Sequence, residues 1–147
     1  MNKTIPVLLV VLVAAGLGAW WQFAPQQAAQ DSGNAVQKAN FIRLTAPQPN
    51  SVVSSPLVLT GEARGYWYFE ASFPIFLVDW DGKIIAQGIA TAKDNWMTEE
   101  FVPFEAELTF APDPNVYSNR GALILRKDNP SGLPEHDDAL EIPVIIK

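Results

Sequence analysis

From Phe41 onward the chain alternates apolar and polar positions with a period of two, in short runs broken by Pro, Gly, Asn and Asp. Phe104, Ala106, Leu108 and Phe110 alternate with Glu105, Glu107 and Thr109, the pattern of a strand with one face in a core and one in water. Leu57, Leu59, Gly61 and Ala63 alternate in the same way against Val58, Thr60 and Glu62. The pattern predicts strands over Phe41–Thr45, Leu57–Ala63, Phe73–Trp80, Lys83–Thr91, Val102–Phe110, Ala122–Lys127 and Leu140–Ile146. Asp81-Gly82 between two apolar runs is a hairpin signal that makes the third and fourth of these antiparallel neighbours.

Short strands with no stretch long enough for a helical crossover leave an antiparallel β-sandwich or small barrel. The expectation is an all-β, immunoglobulin-like antiparallel sandwich of about seven strands over residues 41–147. There is no cysteine to pin the two layers, so large side chains must fill the space, with Trp80, Trp96 and the phenylalanines available. Pro74, Pro103 and Pro143 fall inside predicted strands, which predicts that at least two of those runs lie at sheet edges.

Ahead of the strands the pattern is different. Ile5 to Trp21 carries no charged side chain, and extended to Phe23 it would form a helix roughly 28 Å long, close to the ~30 Å hydrocarbon core. Its Ile, Val and Leu residues supply roughly −3 to −5 kcal/mol for insertion. Residues 1–23 are therefore expected to be a signal-anchor transmembrane helix, with Lys3 keeping the N-terminus inside and Trp20 and Trp21 at the outer interface. The alternative is a cleaved secretory signal ending at Leu17-Gly18-Ala19 or Gln27-Ala28-Ala29. Both readings deliver the same exported domain. Residues 24–40 are polar and small and read as a stalk of roughly 20 to 25 Å root-mean-square reach.

Composition narrows the partners. The formal charge is −6, and the segment after the apolar run has nine basic and sixteen acidic residues, which argues against nucleic acid. Without cysteine there is no thiolate metal site, cysteine nucleophile or lipidated N-terminal cysteine.

The order Ser55-Pro56-Leu57, Gly61-Glu62-Ala63, Trp67-Tyr68-Phe69-Glu70 and Asp79-Trp80-Asp81-Gly82 is more specific than alternation. With Trp96, the Phe104–Phe110 strand, the Asp128–Ser131 turn and Ile142-Pro143-Val144, it resembles the immunoglobulin-like domain of bacterial spore germination proteins, the second of the GerM-associated domains. The resemblance covers residues 41–147 and implies an extracytoplasmic, non-enzymatic module, often joined to a membrane anchor. It supplies no ligand and no catalytic residues to transfer.

The search for chemistry is mostly negative, and no cofactor or metal is expected. His136 is the only histidine and lies in an acidic loop; one imidazole makes neither a multi-histidine metal site nor a triad. Asp128, Glu135, Asp137 and Asp138 lack the spacing of a calcium loop and read as a solvated acidic turn, with calcium the alternative. Asp79, Asp81 and the Asp137–Asp138 pair are the carboxylates that a hydrolase reading would need. The remaining feature is the run Tyr66, Trp67, Tyr68, Phe69 before Glu70. As a strand it would turn two rings inward and two outward, which makes Tyr66, Trp67, Tyr68 and Glu70 the candidate contacts for a partner; the other reading is that the segment crosses between sheets and buries all four rings, with Glu70 accepting backbone hydrogen bonds at the corner. The expected function is protein binding or envelope assembly, and the alternative is a module for cell-wall carbohydrate or peptidoglycan that uses the Tyr66–Tyr68 aromatics.

Overall fold

A computed structural model describes residues 38–147. The expected membrane helix and its interfacial residues Lys3, Trp20 and Trp21 lie outside the described residues, as does all of the stalk except residues 38–40. Among the described residues, no helix is long and apolar enough to cross a membrane.

Eight strands form in chain order: β1 (Ile42–Ala46), β2 (Val52–Val53), β3 (Leu57–Arg64), β4 (Ser72–Asp79), β5 (Ile84–Ala92), β6 (Phe101–Leu108), β7 (Arg120–Arg126) and β8 (Ala139–Ile146). The seven expected strands are all present, with ends within two residues of those read from the pattern. The addition is β2, two residues long, which pairs parallel with β8 through Val52↔Ile145 and Val53↔Ile146. Every other pairing is antiparallel.

The hydrogen-bonded order is β1-β3-β6-β5-β4-β7-β8-β2. Alternate residues of each long strand are buried to near zero exposure in a single apolar cluster, and no polar or charged side chain among the described residues is buried with them. Among the described residues only the sheet itself covers that face, so it folds over on itself, as an immunoglobulin-like sandwich does. The fold line is the β5–β6 seam, where only Thr91↔Glu105 and Ala92↔Phe104 are paired. Gly88 eases the crossing, since a Cβ there would press on the flexible end of the Leu108 side chain and approach the Glu107 carbonyl. Phe73 of β4 packs edge-on against Phe104 of β6 at 5.0 Å and against Tyr68 at 5.2 Å, filling the space where such folds often carry a disulfide.

Two expectations are corrected. Trp80 is half exposed and Trp96 only packs against the core from its margin; the tryptophan at the centre is Trp67. None of the three prolines lies on an edge strand, because the edges are β1 and β2. Each proline sits instead where one flanking ladder is absent or ending. The β4–β7 ladder begins one residue after Pro74, at Ile75↔Leu125. Pro103 and Pro143 turn their carbonyls, and hence their donor-free nitrogens, away from the long ladders toward Lys93 and Asn50, whose amides donate to those carbonyls at 2.8 and 2.7 Å.

The register gives the domain two ends. At one end lie the start of β1, the β3–β4 segment, the β5–β6 loop and the β7–β8 loop. The opposite end carries the β4–β5 hairpin, the β6–β7 loop and the last residues of β8. An eight-residue strand such as β4 separates them by roughly 25 Å.

The chain enters at the first end and is fastened there. Lys38 forms an ion pair with Asp138. Arg43 and Arg64, whose guanidinium carbons lie 4.0 and 4.1 Å from the centre of the Phe101 ring, donate to the carbonyls of Ala39 and Asn40 at 2.7 and 3.2 Å. We call this end proximal and the other distal.

Candidate functional site

The aromatic run lies at the proximal end and is not a strand. Gly65–Trp67 forms one 3₁₀ turn. A Cβ on Gly65 would collide with the carbonyl oxygens of Trp96 and Thr98, so only glycine lets this turn close on the β5–β6 loop. The three-residue period breaks the in-out alternation and sends consecutive residues Trp67 and Tyr68 into the core, at 0% and 4% exposure. Their expected role as exposed contacts is therefore overturned, and with it a carbohydrate platform built on the Tyr66–Tyr68 rings. The outward rings are Tyr66 and Phe69, and Tyr66 lies edge-on to Phe41 of the entering chain at 6.3 Å.

The Tyr68 hydroxyl donates to the carbonyl of Val102 at 2.7 Å. Burial pushes its pKa far above the ordinary tyrosine value, the Ala63 backbone opposes this, and Glu62 adds to it. The indole nitrogen of Trp67 is buried with no hydrogen-bond partner among the described residues.

Glu70 is a turn residue. The Phe69 and Ser72 amides and carbonyls pair reciprocally at 2.9 and 3.1 Å, and Glu70 and Ala71 between them have φ of 50° and 63°. Positive φ at both central residues is the arrangement that two-residue hairpins favour and that glycine and asparagine usually occupy.

Two carboxylates of the acidic loop, Asp137 and Asp138, are engaged by neighbouring groups. Asp137 accepts from the Asn129 side chain at 2.9 Å and from Arg126 at 3.5 Å. The Asn129 hydrogen bond holds its pKa below the ordinary carboxylate value, opposed by desolvation and aided by Arg126. Asp138 holds Lys38 and accepts from its neighbouring amide, and the His136 ring meets the Ser131 hydroxyl at 3.0 Å. Among the described residues no three His, Asp or Glu side chains gather in metal-binding geometry. Asp79 is likewise committed, because its Oδ1 accepts from the amides of Asp81 and Lys83 at 3.0 and 2.9 Å and so shapes the β4–β5 turn.

A concavity at the distal end was missed by sequence reasoning. It is a cleft of about 840 Å³ between the β4–β5 hairpin, the β6–β7 loop and the end of β8. Ile84, Ile85, Val116 and Ile146 supply apolar wall, while Lys83, Asp113, Ser118 and Asn119 supply polar groups. Tyr117 lines it at 89% exposure, and Trp80 leans on Tyr117 with ring centres 5.3 Å apart and planes tilted by 52°. The loop is held by Ser55, whose hydroxyl accepts from the Phe110 amide at 2.9 Å, and by Asp113, which accepts from the Asn115 amide at 2.8 Å. The one signal in the sequence was the Pro112-Asp113-Pro114 run followed by a lone tyrosine, which marks a rigid, irregular loop without saying what it faces.

Comparison with known proteins gives one match. The family model for the immunoglobulin-like domain of bacterial spore germination covers residues 41–132, from the chain's entry through β7 and into the loop that follows. No curated protein and no solved structure matches.

Proposed function

The chain belongs to the family of immunoglobulin-like domains of bacterial spore germination, and from that premise we propose that it is a non-catalytic binding module. It is held at the cell envelope by its N-terminal segment and engages its partner through the distal cleft. The observation that carries this reading is the placement of the cleft at the end opposite the chain's entry, roughly 25 Å away along the strands. A domain held at its proximal end presents the distal end outward. The apolar run from Ile5 to Phe23 supports membrane attachment, and the net negative charge supports a domain that stands clear of anionic lipid.

The side chains with chemical potential support binding over catalysis. Asp79, Asp137 and Asp138 are spent on turns, an ion pair and the chain's entry, and His136 is paired with a hydroxyl in its own loop. The cleft offers the mixture typical of recognition sites, apolar wall with a few convergent polar groups, in the volume range of ligand pockets.

The test is photo-crosslinking in intact cells, with the photoreactive side chain placed at Tyr117 in one strain and at Leu133, exposed on the proximal β7–β8 loop, in another. Adducts from position 117 are expected. Adducts from position 133 alone would move the binding surface to the proximal end and overturn the proposal.

A further inference from the structure

We propose that an extended segment of a partner protein, carrying lysine or arginine, adds as a strand to the open edge of β5 and runs from there into the distal cleft. This rests on the reading of the cleft as the binding site and names the partner it takes. β5 lies inside the sheet order but is paired on both sides over only part of its length. Toward β4 it is paired from Thr91 to Ile84; toward β6 the ladder is Thr91↔Glu105 and Ala92↔Phe104 and then stops.

The register decides which backbone groups are left over. The Ala92 amide donates to the carbonyl of Ala71 on the β4 side at 2.8 Å, and the Lys93 amide to the carbonyl of Pro103 on the β6 side at 2.8 Å. Successive residues of a strand face opposite neighbours, so Ala90 and Gly88 bond toward β4 while the backbone amide and carbonyl of Gln87 face the side that β6 has left. β6 passes on the core side of Gly88, where an added Cβ would meet Leu108, and beyond it the Phe110 amide is taken by the Ser55 hydroxyl. Among the described residues, no backbone hydrogen bond joins residues 109–119 to β5.

This edge lacks the guards that the others carry. β1 is five residues long, contains Arg43 and runs into Pro47, and β2 is two residues long. The facing strand β6 carries Pro103, Glu105 and Glu107. β5, nine residues from Ile84 to Ala92, has no charged residue and no proline, and Ile84 and Ile89 stand 53% and 62% exposed along it. Its one bulge, opposite Val78, lies where Ile84 and Ile85 enter the cleft wall. Charge, proline and shortness are what keep strand edges from pairing; an edge without them is a template for a further strand.

The surroundings choose the partner. The edge runs from the distal cleft, lined by Ile84 and Ile85, to a shallow groove of about 390 Å³ that Ile89 lines with Val58. The two concavities hold Asp79, Asp113, Glu105 and Glu107 against Lys83 and Lys93, and Lys93 is already paired with Glu105 at 2.9 Å. Glu107 and Asp113 have no ion-pair partner among the described residues. Exposed apolar side chains beside an excess of carboxylate fit a strand that alternates apolar and basic residues. A second copy of this chain fits less well, because it brings its own excess of acid to the same edge.

The experiment is residue-resolved amide exchange on the full chain in detergent micelles, with a capped octapeptide of alternating valine and lysine as the probe. Before peptide is added, the backbone amide of Gln87 is expected to exchange as fast as an open loop, and those of Gly88 and Ala90 to exchange slowly. Millimolar peptide is expected to slow Gln87 at least tenfold. The counterpart with glutamate in place of lysine, and the same peptide N-methylated at every residue, should leave Gln87 fast. Glu107→Gln combined with Asp113→Asn, at two exposed positions, is expected to weaken the peptide at least fivefold without moving the melting temperature. Unchanged exchange at Gln87 overturns the inference, as does equal protection by the glutamate or the N-methylated peptide. A Gln87 amide already slow without peptide overturns it too, and would identify a second copy on the edge if the protection rises with protein concentration, or this chain itself if it does not. If Gln87 is never protected while position 117 still crosslinks a protein, strand addition falls and the binding-module reading stands. Failure of both experiments removes both.

Discussion

Two residues between the aromatic run and β4 show how much conformation the proximal end imposes on side chains that do not favour it. Glu70 and Ala71 both sit at positive φ, where an L-residue with a Cβ is disfavoured by roughly 1–2 kcal/mol. Ala71→Gly is expected to raise stability by about 1 kcal/mol, seen as a higher denaturant midpoint with unchanged slope. A lower midpoint would show that the turn is not held as described. Three positions earlier, Tyr68 joins burial to chemistry. Its folded pKa is raised above the ordinary 10.0, so its contribution is complete below that pH and is lost as pH rises toward the folded value. Melting temperatures should fall as pH climbs past 10.0, and Tyr68→Phe should flatten that part of the profile. The same substitution removes the hydroxyl's hydrogen bond to the Val102 carbonyl, which faces Ala63 in the β3–β6 ladder, and is expected to cost about 0.5–1.5 kcal/mol at neutral pH. The sequence showed four aromatics in a row but not their directions. Alternation was the wrong period, because the contact of Gly65 with the Trp96–Thr98 backbone selects a 3₁₀ turn, and that contact joins residues thirty or more apart in the chain.

At the scale of elements, the strands were legible because each carries its own alternation, and the Asp81-Gly82 hairpin because a turn is a local signal. The Gly82 amide donates to the Asp79 carbonyl at 3.0 Å, and Gly82 takes a φ of 80°. The two-residue β2 was not legible. It is a strand only through its parallel pairing with β8, about ninety residues away, and two valines carry no period of their own. The prolines misled for a related reason: whether a missing donor is tolerated depends on which side of the strand its ladder has ended, which is set by topology. Glycines at the crossings of elements make a testable pair. Gly65→Ala drives a Cβ into two backbone oxygens that have nowhere to go, whereas Gly88→Ala meets chiefly the flexible end of Leu108. Gly65→Ala is expected to cost about 3 kcal/mol or more and to loosen the β5–β6 loop, and Gly88→Ala to cost about 1 kcal/mol. Equal losses in chemical denaturation would contradict this account of the two sites.

The whole molecule has an axis that no local pattern contains. The distal cleft is assembled from a hairpin, a loop and a chain end separated by as many as sixty residues, and its aromatic pair, Trp80 and Tyr117, comes from two of these. The proximal end gathers the chain's entry, the aromatic run and the acidic loop, with Lys38 and Asp138 a hundred residues apart in sequence. If the N-terminal segment holds the proximal end toward a bilayer, distance from lipid becomes a property that can be measured along the strands. A fluorophore on Leu133→Cys and one on Tyr117→Cys occupy the two ends, both exposed and both in a chain with no other thiol. With the full chain in vesicles that carry a headgroup quencher, the label at 133 should be quenched more strongly than the label at 117, because roughly 25 Å of sheet lies between them. Stronger quenching at 117 would mean that the cleft faces the membrane. The partner would then have to be sought in the lipid or in its embedded proteins rather than in the wall beyond.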